Sequence, residues 1–335
     1  MALLIYMVKQ CLLHQLLISK TAGTHTLKPM QNSFSPTHDL LPQHWQLVLP
    51  HQCLLGEGPV WDARAERIYW VDITQHEIHS CTADGLAHQV INTGQPVGAV
   101  ALFKKDMLVA ALEKGFAFID LSDGSIERIG NPEKEVTGNR FNDGKCDPAG
   151  RFWAGTMNVH GESEVGNLYA LETDGRVVLK LKGVNVSNGM AWSPDGRFFY
   201  FIDTATRAVS AFDYDRAGGR ISNRRVVIKI PPEMGKPDGM TIDAEGMLWV
   251  ALWDGWGLSR WDPFTGKLLC QIKLPVSRVT SCTFGGKDLR DLYVTSARIG
   301  LSEEELQAQP MAGSLIVLRG LSFQGIPAIA FGGQG

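Results

Sequence analysis

Residues 185–204 read N-V-S-N-G-M-A-W-S-P-D-G-R-F-F-Y-F-I-D-T, and they form the unit around which this 335-residue chain is organised. Two short apolar runs flank the P-D-G turn at 194–196. Proline presets φ for a tight turn and glycine accepts a positive φ, so the stretch predicts a β-hairpin. Asn188 and Gly189 stand directly before the first apolar run.

Variants of this unit recur along the chain. Strong copies begin at Glu57-Gly58, Asp143-Gly144 and Asp238-Gly239, and weaker copies begin at Val97-Gly98 and Thr280-Ser281. The second residues of the six pairs, at 58, 98, 144, 189, 239 and 281, are separated by 40, 46, 45, 50 and 42 residues. A strand-rich repeat of this period is typical of a β-propeller with about four strands per blade. We therefore predict an all-β, six-bladed propeller of antiparallel strands.

Two isolated strands near the ends of the repeats predict how the ring closes. The segments 45–50 (W-Q-L-V-L-P) and 314–319 (S-L-I-V-L-R) belong to no complete hairpin. Pairing them would remove exposed sheet edges, so we expect strands from both termini to share the last blade. The segment 302–307 (S-E-E-E-L-Q) predicts one short helix capped by Ser302. The propeller domain is thus expected over residues 45–335.

Residues 1–44 lie outside the repeats. Their apolar part, 1–19, is interrupted by polar residues and is too short for a transmembrane helix. It has no basic region before the apolar run and no clean cleavage site, so it does not resemble a signal peptide. We expect a poorly ordered N-terminal extension, and the sequence leaves open whether it belongs to the mature protein.

The composition excludes several classes of partner. The net charge is −3 and there is no basic block, so we expect neither nucleic acid nor a membrane as a partner. The six cysteines are scattered without a C-x-x-C pair, which favours reduced thiols, although one or two disulfides are compatible with the sequence. We expect a cytoplasmic monomer that acts on a small molecule.

The residue before the repeat glycine predicts a metal site. Blades are related by rotation about one axis, so equivalent positions surround the same channel. These positions hold Glu57, Val97, Asp143, Asn188, Asp238 and Thr280. Crowded carboxylates repel unless a cation neutralises them, and mixed oxygen ligands suit a hard divalent ion. We predict that Glu57, Asn188 and Asp238 hold the ion; the alternative is that Asp-Gly and Asn-Gly are only turn formers.

Such an ion suggests a hydrolytic reaction. A hard cation polarises a carbonyl and lowers the pKa of bound water, which suits hydrolysis of an activated ester such as a sugar lactone. Asp238 is the candidate that orients or deprotonates the water, although a metal-bound carboxylate is a weak base. Arg140 and Asn142 are candidates for binding the substrate, with a surface role as the alternative for Arg140. The sequence has no nucleophile elbow, no P-loop, no H-E-x-x-H motif and no histidine pair at ligand spacing within a repeat.

Five longer motifs resemble those of the regucalcin (senescence marker protein)/gluconolactonase family. They are L-G-E-G-P-V-W-D at 55–62, R-F-N-D-G-K-C-D-P-A-G-R at 140–151, A-G-T-M at 154–157, S-N-G-M-A-W-S-P-D-G at 187–196 and K-P-D-G-M at 236–240. The resemblance implies a six-bladed propeller with one divalent cation on Glu57, Asn188 and Asp238. It also implies substrate binding by Arg140 and Asn142, and an acid/base role for Asp238.

The same resemblance implies an activity and a choice of metals. The reaction would be hydrolysis of aldonolactones, such as D-glucono-1,5-lactone, to the aldonic acid. The metal most associated with the family is Ca²⁺, and Zn²⁺, Mn²⁺ or Mg²⁺ can serve in its place. The chain is therefore expected to be a divalent-metal-dependent lactonase.

One departure from the family pattern leaves the substrate open. Animal regucalcins carry a substrate-contacting Glu shortly after A-G-T-M, where this chain has His160, with Glu162 close by. Related bacterial lactonases act on arabinono- and xylonolactones, so a pentonolactonase is one alternative. A non-catalytic calcium-binding or regulatory propeller is another. The segment 68–72 (I-Y-W-V-D) resembles the Y-W-T-D repeat of receptor propellers, but that motif should recur in every blade and occurs here once.

Overall fold

Six four-stranded antiparallel sheets make up the part of the chain that the structure describes. The structure is a computed structural model that describes residues 45–333, so the expected N-terminal extension lies outside the described residues. In five of the sheets the four strands follow one another along the chain from the innermost to the outermost. The prediction of a six-bladed propeller is confirmed.

The strands repeat in the same order in each blade. The innermost strands are β2 (Gly56–Asp62), β6 (Val97–Leu102), β10 (Asn139–Cys146), β14 (Ser187–Trp192), β18 (Lys236–Ile242) and β22 (Val279–Gly285). The second strands are β3 (Arg67–Asp72), β7 (Met107–Leu112), β11 (Phe152–Asn158), β15 (Phe198–Asp203), β19 (Leu248–Trp253) and β23 (Asp291–Ser296). The third strands are β4 (Glu77–Thr82), β8 (Gly115–Asp120), β12 (Gly166–Leu171), β16 (Ala208–Asp215), β20 (Gly257–Asp262) and β24 (Leu315–Leu318). The outermost strands are β5 (Gln89–Asn92), β9 (Ile126–Gly130), β13 (Val177–Val184), β17 (Arg220–Lys229), β21 (Lys267–Lys273) and β1 (Trp45–Leu49).

The last blade combines strands from the two ends of the propeller. Its order is β22-β23-β24-β1, and β1 pairs antiparallel with β24 so that Trp45 lies opposite Leu318. The prediction of closure by both termini is therefore confirmed. Closure removes the free edges that an open array of blades would expose.

A single short α-helix, α1 (Glu303–Ala308), lies between β23 and β24 in the described residues. Ser302 is its N-cap, as the sequence predicted. The Ser302 hydroxyl accepts from the Glu305 backbone N–H at 3.2 Å, and the Glu305 carboxylate accepts from the Ser302 N–H at 2.8 Å. This reciprocal pair is a capping box, which satisfies two amides that the helix itself leaves unpaired.

The glycines of the repeat are required by packing between blades. Gly189 and Gly239 lie inside the innermost strands β14 and β18 rather than in turns. A Cβ atom on Gly189 would lie 2.5 Å from Cβ of Met240, and one on Gly239 would lie 2.2 Å from Oγ of Ser281. Neighbouring innermost strands approach too closely for a side chain, so the alternative that these dipeptides are turn formers is wrong.

Aspartates that follow the innermost strands hold two of the blades together. Asp147 and Asp243 are fully buried, and each accepts a hydrogen bond from the indole N–H of the tryptophan six residues later, at 2.9 Å. Those tryptophans, Trp153 and Trp249, are themselves fully buried between blades. The D-x-x-G-x-x-W pattern is therefore a structural part of the repeat.

Two further expectations concern the whole described chain. The five cysteines within residues 45–333 form no disulfide, as expected for reduced thiols. No helix among the described residues is long and apolar enough to cross a membrane.

Candidate active site

A bulge at the repeat pair interrupts each innermost strand. The pairing of β2 with β3 shifts between Glu57 and Val60, and that of β18 with β19 shifts between Pro237 and Met240. The other four innermost strands shift at the equivalent place. A bulge bends a strand and changes the direction of the side chains next to it. A polar side chain at the bulge can therefore point away from the two faces on which the rest of the strand packs.

Three of the residues at these bulges are buried carboxylates that interact with one another. Glu57, Asp143 and Asp238 are only 4–5% exposed. Burial, followed by repulsion from Asp238 and Asp143, raises the pKa of Glu57 well above its usual range. Burial and repulsion from Asp143 raise the pKa of Asp238 in the same way. The three side chains therefore share one electrostatic environment, although they come from three blades.

These carboxylates have few hydrogen-bond donors among the described residues. Glu57 accepts from the N–H of Gly58 at 2.9 Å, and Asp143 accepts from the N–H of Gly144 at 2.6 Å. The neighbouring Asn188 side chain partly opposes the rise in the pKa of Asp238. Three buried carboxylates with so few hydrogen-bond donors are unfavourable unless cations or protons compensate their charge.

Asn188 completes the set with an oxygen that is free to act as a ligand. Its side chain is 3% exposed, and its Nδ2 donates to Oγ1 of Thr204 at 2.9 Å. The Thr204 hydroxyl in turn donates to the carbonyl of Pro237 in the next blade at 2.8 Å. Within the described residues Oδ1 of Asn188 is buried and has no hydrogen-bond partner. Carboxylate oxygens and one oriented amide oxygen are the donor set that a hard divalent cation prefers, so these residues fit such an ion.

Arg140 lies in the field of the same carboxylates. Burial lowers the pKa of its guanidinium to about 10, while attraction from Glu57 and Asp238 opposes the shift. Its Nη1 donates to Oδ1 of Asn142 at 2.7 Å and to the Phe141 carbonyl at 2.9 Å. Asn142 uses its Nδ2 to donate to the Ser187 carbonyl at 2.8 Å. Asn142 therefore holds Arg140 in place, and its oxygen and its NH2 group each keep capacity for a further hydrogen bond, so its predicted role in substrate binding stays a prediction.

Sequence reasoning assigned no role to two further residues beside the cluster, Lys145 and Thr204. Lys145 lies two residues after Asp143 on β10, and its Nζ donates to the Met240 carbonyl at 2.8 Å. Burial lowers the pKa of Lys145, and the nearby Asp143 carboxylate opposes that shift. The alternation of side chains along a strand was a signal for Lys145. Thr204 had no such signal, because its partner Pro237 lies in another blade.

A cavity lies between the innermost strands beside Asp143. It has a volume of about 310 Å³ and is lined by residues of all six innermost strands, including Asp143 and Lys145. Residues 326–329 of the C-terminal segment line its far end. Asp143 is therefore the member of the carboxylate cluster that also borders this cavity.

His160 and Glu162, which the sequence singled out for substrate choice, lie in the loop after β11. Both residues are exposed. Their backbone N–H groups donate to Oδ1 of Asn158 at 2.8 and 3.3 Å. No hydrogen bond within residues 45–333 connects either side chain to the carboxylate cluster.

Comparison with known proteins places this geometry in a family. A family model described as the SMP-30/Gluconolactonase/LRE-like region matches residues 55–298. The chain belongs to this family. The family resemblance inferred from the sequence is therefore confirmed.

Individual relatives cover almost the whole propeller. Regucalcin of Oryctolagus cuniculus is 43% identical over 293 residues, which is 86% of this chain and 98% of that protein. The structure of regucalcin from Agrobacterium tumefaciens, a calcium-binding protein, has a TM-score of 0.83 at 28% identity and covers 87% of this chain and 98% of its own. A luciferin-regenerating enzyme has a TM-score of 0.79 at 33% identity, covering 83% and 95%. Members of the family thus share this fold along nearly their full length.

Proposed function

We propose that this protein is a divalent-metal-dependent lactonase that hydrolyses sugar aldonolactones, such as D-glucono-1,5-lactone, to the aldonic acid. The observation that carries the proposal is the convergence of Glu57 and Asp238 with the unpaired Oδ1 of Asn188, beside a guanidinium. Membership of the SMP-30/Gluconolactonase/LRE-like family supports the same reaction class. Ca²⁺ is the first candidate for the ion, with Zn²⁺, Mn²⁺ and Mg²⁺ as the others.

Glu57, Asn188 and Asp238 are the residues that would hold the ion. When bound, a divalent cation supplies a Lewis acid for the lactone carbonyl and lowers the pKa of a water molecule. Asp143 adds a further carboxylate to the same environment, which strengthens the local negative potential. Thr204 keeps the Asn188 amide oriented by accepting its N–H, so that the oxygen stays available.

The remaining residues would act on the substrate and on the attacking water. Asp238 orients the water and accepts its proton as the water oxygen bonds to the carbonyl carbon. The ring C–O bond then breaks, and the proton passes to the leaving alkoxide. Arg140 donates hydrogen bonds to lactone oxygens through its planar fork, in a position fixed by Asn142. The aldonic acid ionises at neutral pH, so each turnover releases one proton.

Chelation is expected to lower lactone hydrolysis by at least about 100-fold, because Lewis-acid activation of the carbonyl and the water is lost. We would measure proton release on a panel of hexono- and pentonolactones, before chelation, after chelation and after re-addition of single metals. The rate of spontaneous ring opening must be subtracted in metal-matched buffer. The ranking of the panel separates a hexonolactonase from a pentonolactonase.

The same experiment decides between the lactonase and a non-catalytic calcium-binding propeller. Metal binding without turnover on any lactone would favour the non-catalytic protein. Turnover that survives complete chelation would contradict the metal-dependent mechanism. Turnover restored by one metal identifies the ion that the site uses most effectively.

Arg140→Ala is expected to raise KM by about 10- to 100-fold, the range for losing hydrogen bonds to a charged donor. Metal affinity should stay the same or become slightly tighter, because the substitution removes a positive charge from the field of Glu57 and Asp238. Steady-state kinetics on the best lactone, with a parallel metal titration, measure both quantities. Arg140→Lys is the matched variant, since it keeps the charge and loses the fork. Unchanged kinetics across the lactone panel would show that Arg140 does not bind substrate.

A further inference from the structure

A second cluster of ligand-type side chains lies in the first blade, outside the innermost strands. His51 and Cys53 belong to the linker between β1 and β2, and His79 lies on β4. One ring nitrogen of each histidine and Sγ of Cys53 all lie within 4.8 Å of one another. His88, just before β5, brings its Nε2 to 3.1 Å from Nδ1 of His79. Nitrogen and sulfur atoms thus converge from three separate segments of the chain.

His79 is the buried centre of this cluster and has an unsatisfied nitrogen. The residue is fully buried, and within residues 45–333 its Nε2 has no hydrogen-bond partner. Oε2 of Glu77 lies 3.3 Å from Nε2 without hydrogen-bond geometry. A buried polar atom left without a partner is destabilising by about 1–3 kcal/mol. An ion at this position would remove that penalty.

The surrounding side chains hold the cluster in a fixed arrangement. The ring centroids of His51 and His79 are 4.6 Å apart, and the indole of Trp70 stacks on His79 at 5.1 Å. The same indole donates its Nε1–H to Sγ of Cys53 at 3.4 Å. An outer hydrogen bond of this kind orients a ligand and stabilises the charge on a thiolate.

We propose that His51, Cys53 and His79 form a second metal site, which takes Zn²⁺. Two imidazole nitrogens and one thiolate form a borderline-soft ligand set that suits zinc and does not suit Ca²⁺. The free Nε2 of His79 is available for the ion because Nδ1 is engaged with His88. A tetrahedral site with bonds of about 2.0–2.3 Å needs ligand atoms roughly 3.3–3.7 Å apart, so small side-chain rotations close the cluster on the ion.

The protonation of the ligands is compatible with this site. Burial, together with His51 and His88, lowers the pKa of His79 to about 3, so this imidazole is neutral, as a ligand must be. Burial and the nearby Asp72 raise the pKa of the Cys53 thiol to about 12. Zinc therefore displaces one proton from Cys53 when it binds.

The position of the site suggests a structural role. His51 and Cys53 lie directly after the strand that closes the ring, whereas His79 lies in the first blade. An ion held by all three would cross-link the closing strand to the blade that follows it. Binding to the folded chain alone stabilises it by mass action, so Zn²⁺ should raise the melting temperature.

The test uses the full chain after all metal has been removed. Ca²⁺ is added first to fill the carboxylate site, and Co²⁺ is then added as a spectroscopic substitute for zinc. We expect a near-ultraviolet thiolate-to-cobalt charge-transfer band, together with visible bands of tetrahedral cobalt. Cys53→Ser should abolish the charge-transfer band, whereas the matched variant Cys270→Ser, which removes a half-buried thiol from β21, should keep it. Asp238→Ala should also keep it, which separates this site from the proposed lactonase centre.

Displacement of the bound Co²⁺ by Zn²⁺ measures the affinity of the site for zinc. His51→Ala is expected to weaken Zn²⁺ binding by at least about 10–100-fold, and the thermal shift caused by Zn²⁺ should disappear with it. His51 is half-buried in a linker, so this variant remains informative if His79→Ala does not fold. A wild-type chain without the charge-transfer band, or a band that survives in Cys53→Ser, would overturn the proposal.

Discussion

Asp238→Ala is expected to lower lactone hydrolysis by at least about 1,000-fold while leaving the propeller folded. The proposed mechanism gives this carboxylate two roles, as a ligand of the cation and as the group that handles the proton of the attacking water. General acid–base catalysis alone contributes about 100- to 10,000-fold, and loss of the ion adds to that effect. Initial rates at saturating metal, together with a metal titration, measure the two contributions separately.

The stability of this variant gives an independent check. Burial and Asp143 raise the pKa of Asp238, so in the metal-free protein the ionised carboxylate disfavours folding at pH values above its ordinary range. Alanine removes that penalty, and the metal-free variant should unfold at the same denaturant concentration as the wild type or at a higher one. The stabilisation that added metal gives to the wild type should be lost.

A matched control lies at the same end of the same blade. Asp254 directly follows β19, whose last residue Trp253 pairs with Lys236 at the start of β18. Its carboxylate is exposed and pairs with Arg278 at 3.0 Å, so Asp254→Ala should keep turnover and metal binding. Wild-type turnover in Asp238→Ala would remove Asp238 from the mechanism, and an equal loss in Asp254→Ala would show that the effect is not specific.

The repeat made the fold predictable, and with it the proximity of Glu57, Asp143 and Asp238. Six copies of one hairpin unit determine six blades, and rotation about the axis brings position 57 close to position 238 although 181 residues separate them. The spacing could not explain why glycine is required at these positions, because the atoms that exclude a Cβ at Gly189 belong to the next blade. The local sequence around each glycine does not show which residue of the next blade lies against it.

The cluster of His51, Cys53 and His79 could not be predicted from a local sequence pattern either. A search for ligand pairs within one repeat finds nothing, because His51 and His79 lie 28 residues apart on a linker and a third strand. Strand pairing and the closure of the ring bring them together, and neither leaves a local pattern. For the same reason Thr204 gave no sign that its hydroxyl joins Asn188 to Pro237.

Asp147→Ala is expected to lower the free energy of unfolding by about 3–5 kcal/mol, the range for breaking a buried ion pair. Asp147 is fully buried and accepts hydrogen bonds from the Tyr214 hydroxyl at 2.7 Å, the Trp153 indole at 2.9 Å and the Arg151 guanidinium at 3.1 Å. Removing the carboxylate leaves these donors without their common acceptor. Equilibrium denaturation measures the loss. The kcat per folded molecule should stay unchanged, because Asp147 follows the end of β10 and lies outside the carboxylate cluster.

Asp147→Asn is the control, because it keeps an acceptor oxygen and loses the charge. The free energy of unfolding of Asp147→Asn should lie between those of the alanine variant and the wild type. The hydrogen bonds from Trp153 and Tyr214 can persist, whereas the ion pair with Arg151 is lost. Unfolding of Asp147→Ala at the wild-type denaturant concentration would contradict the structural role. Asp147 has the hydrogen-bond donors that the carboxylate cluster lacks. The loss of Asp147 should therefore lower stability and leave activity unchanged, whereas the loss of Asp238 should lower activity and leave the propeller folded.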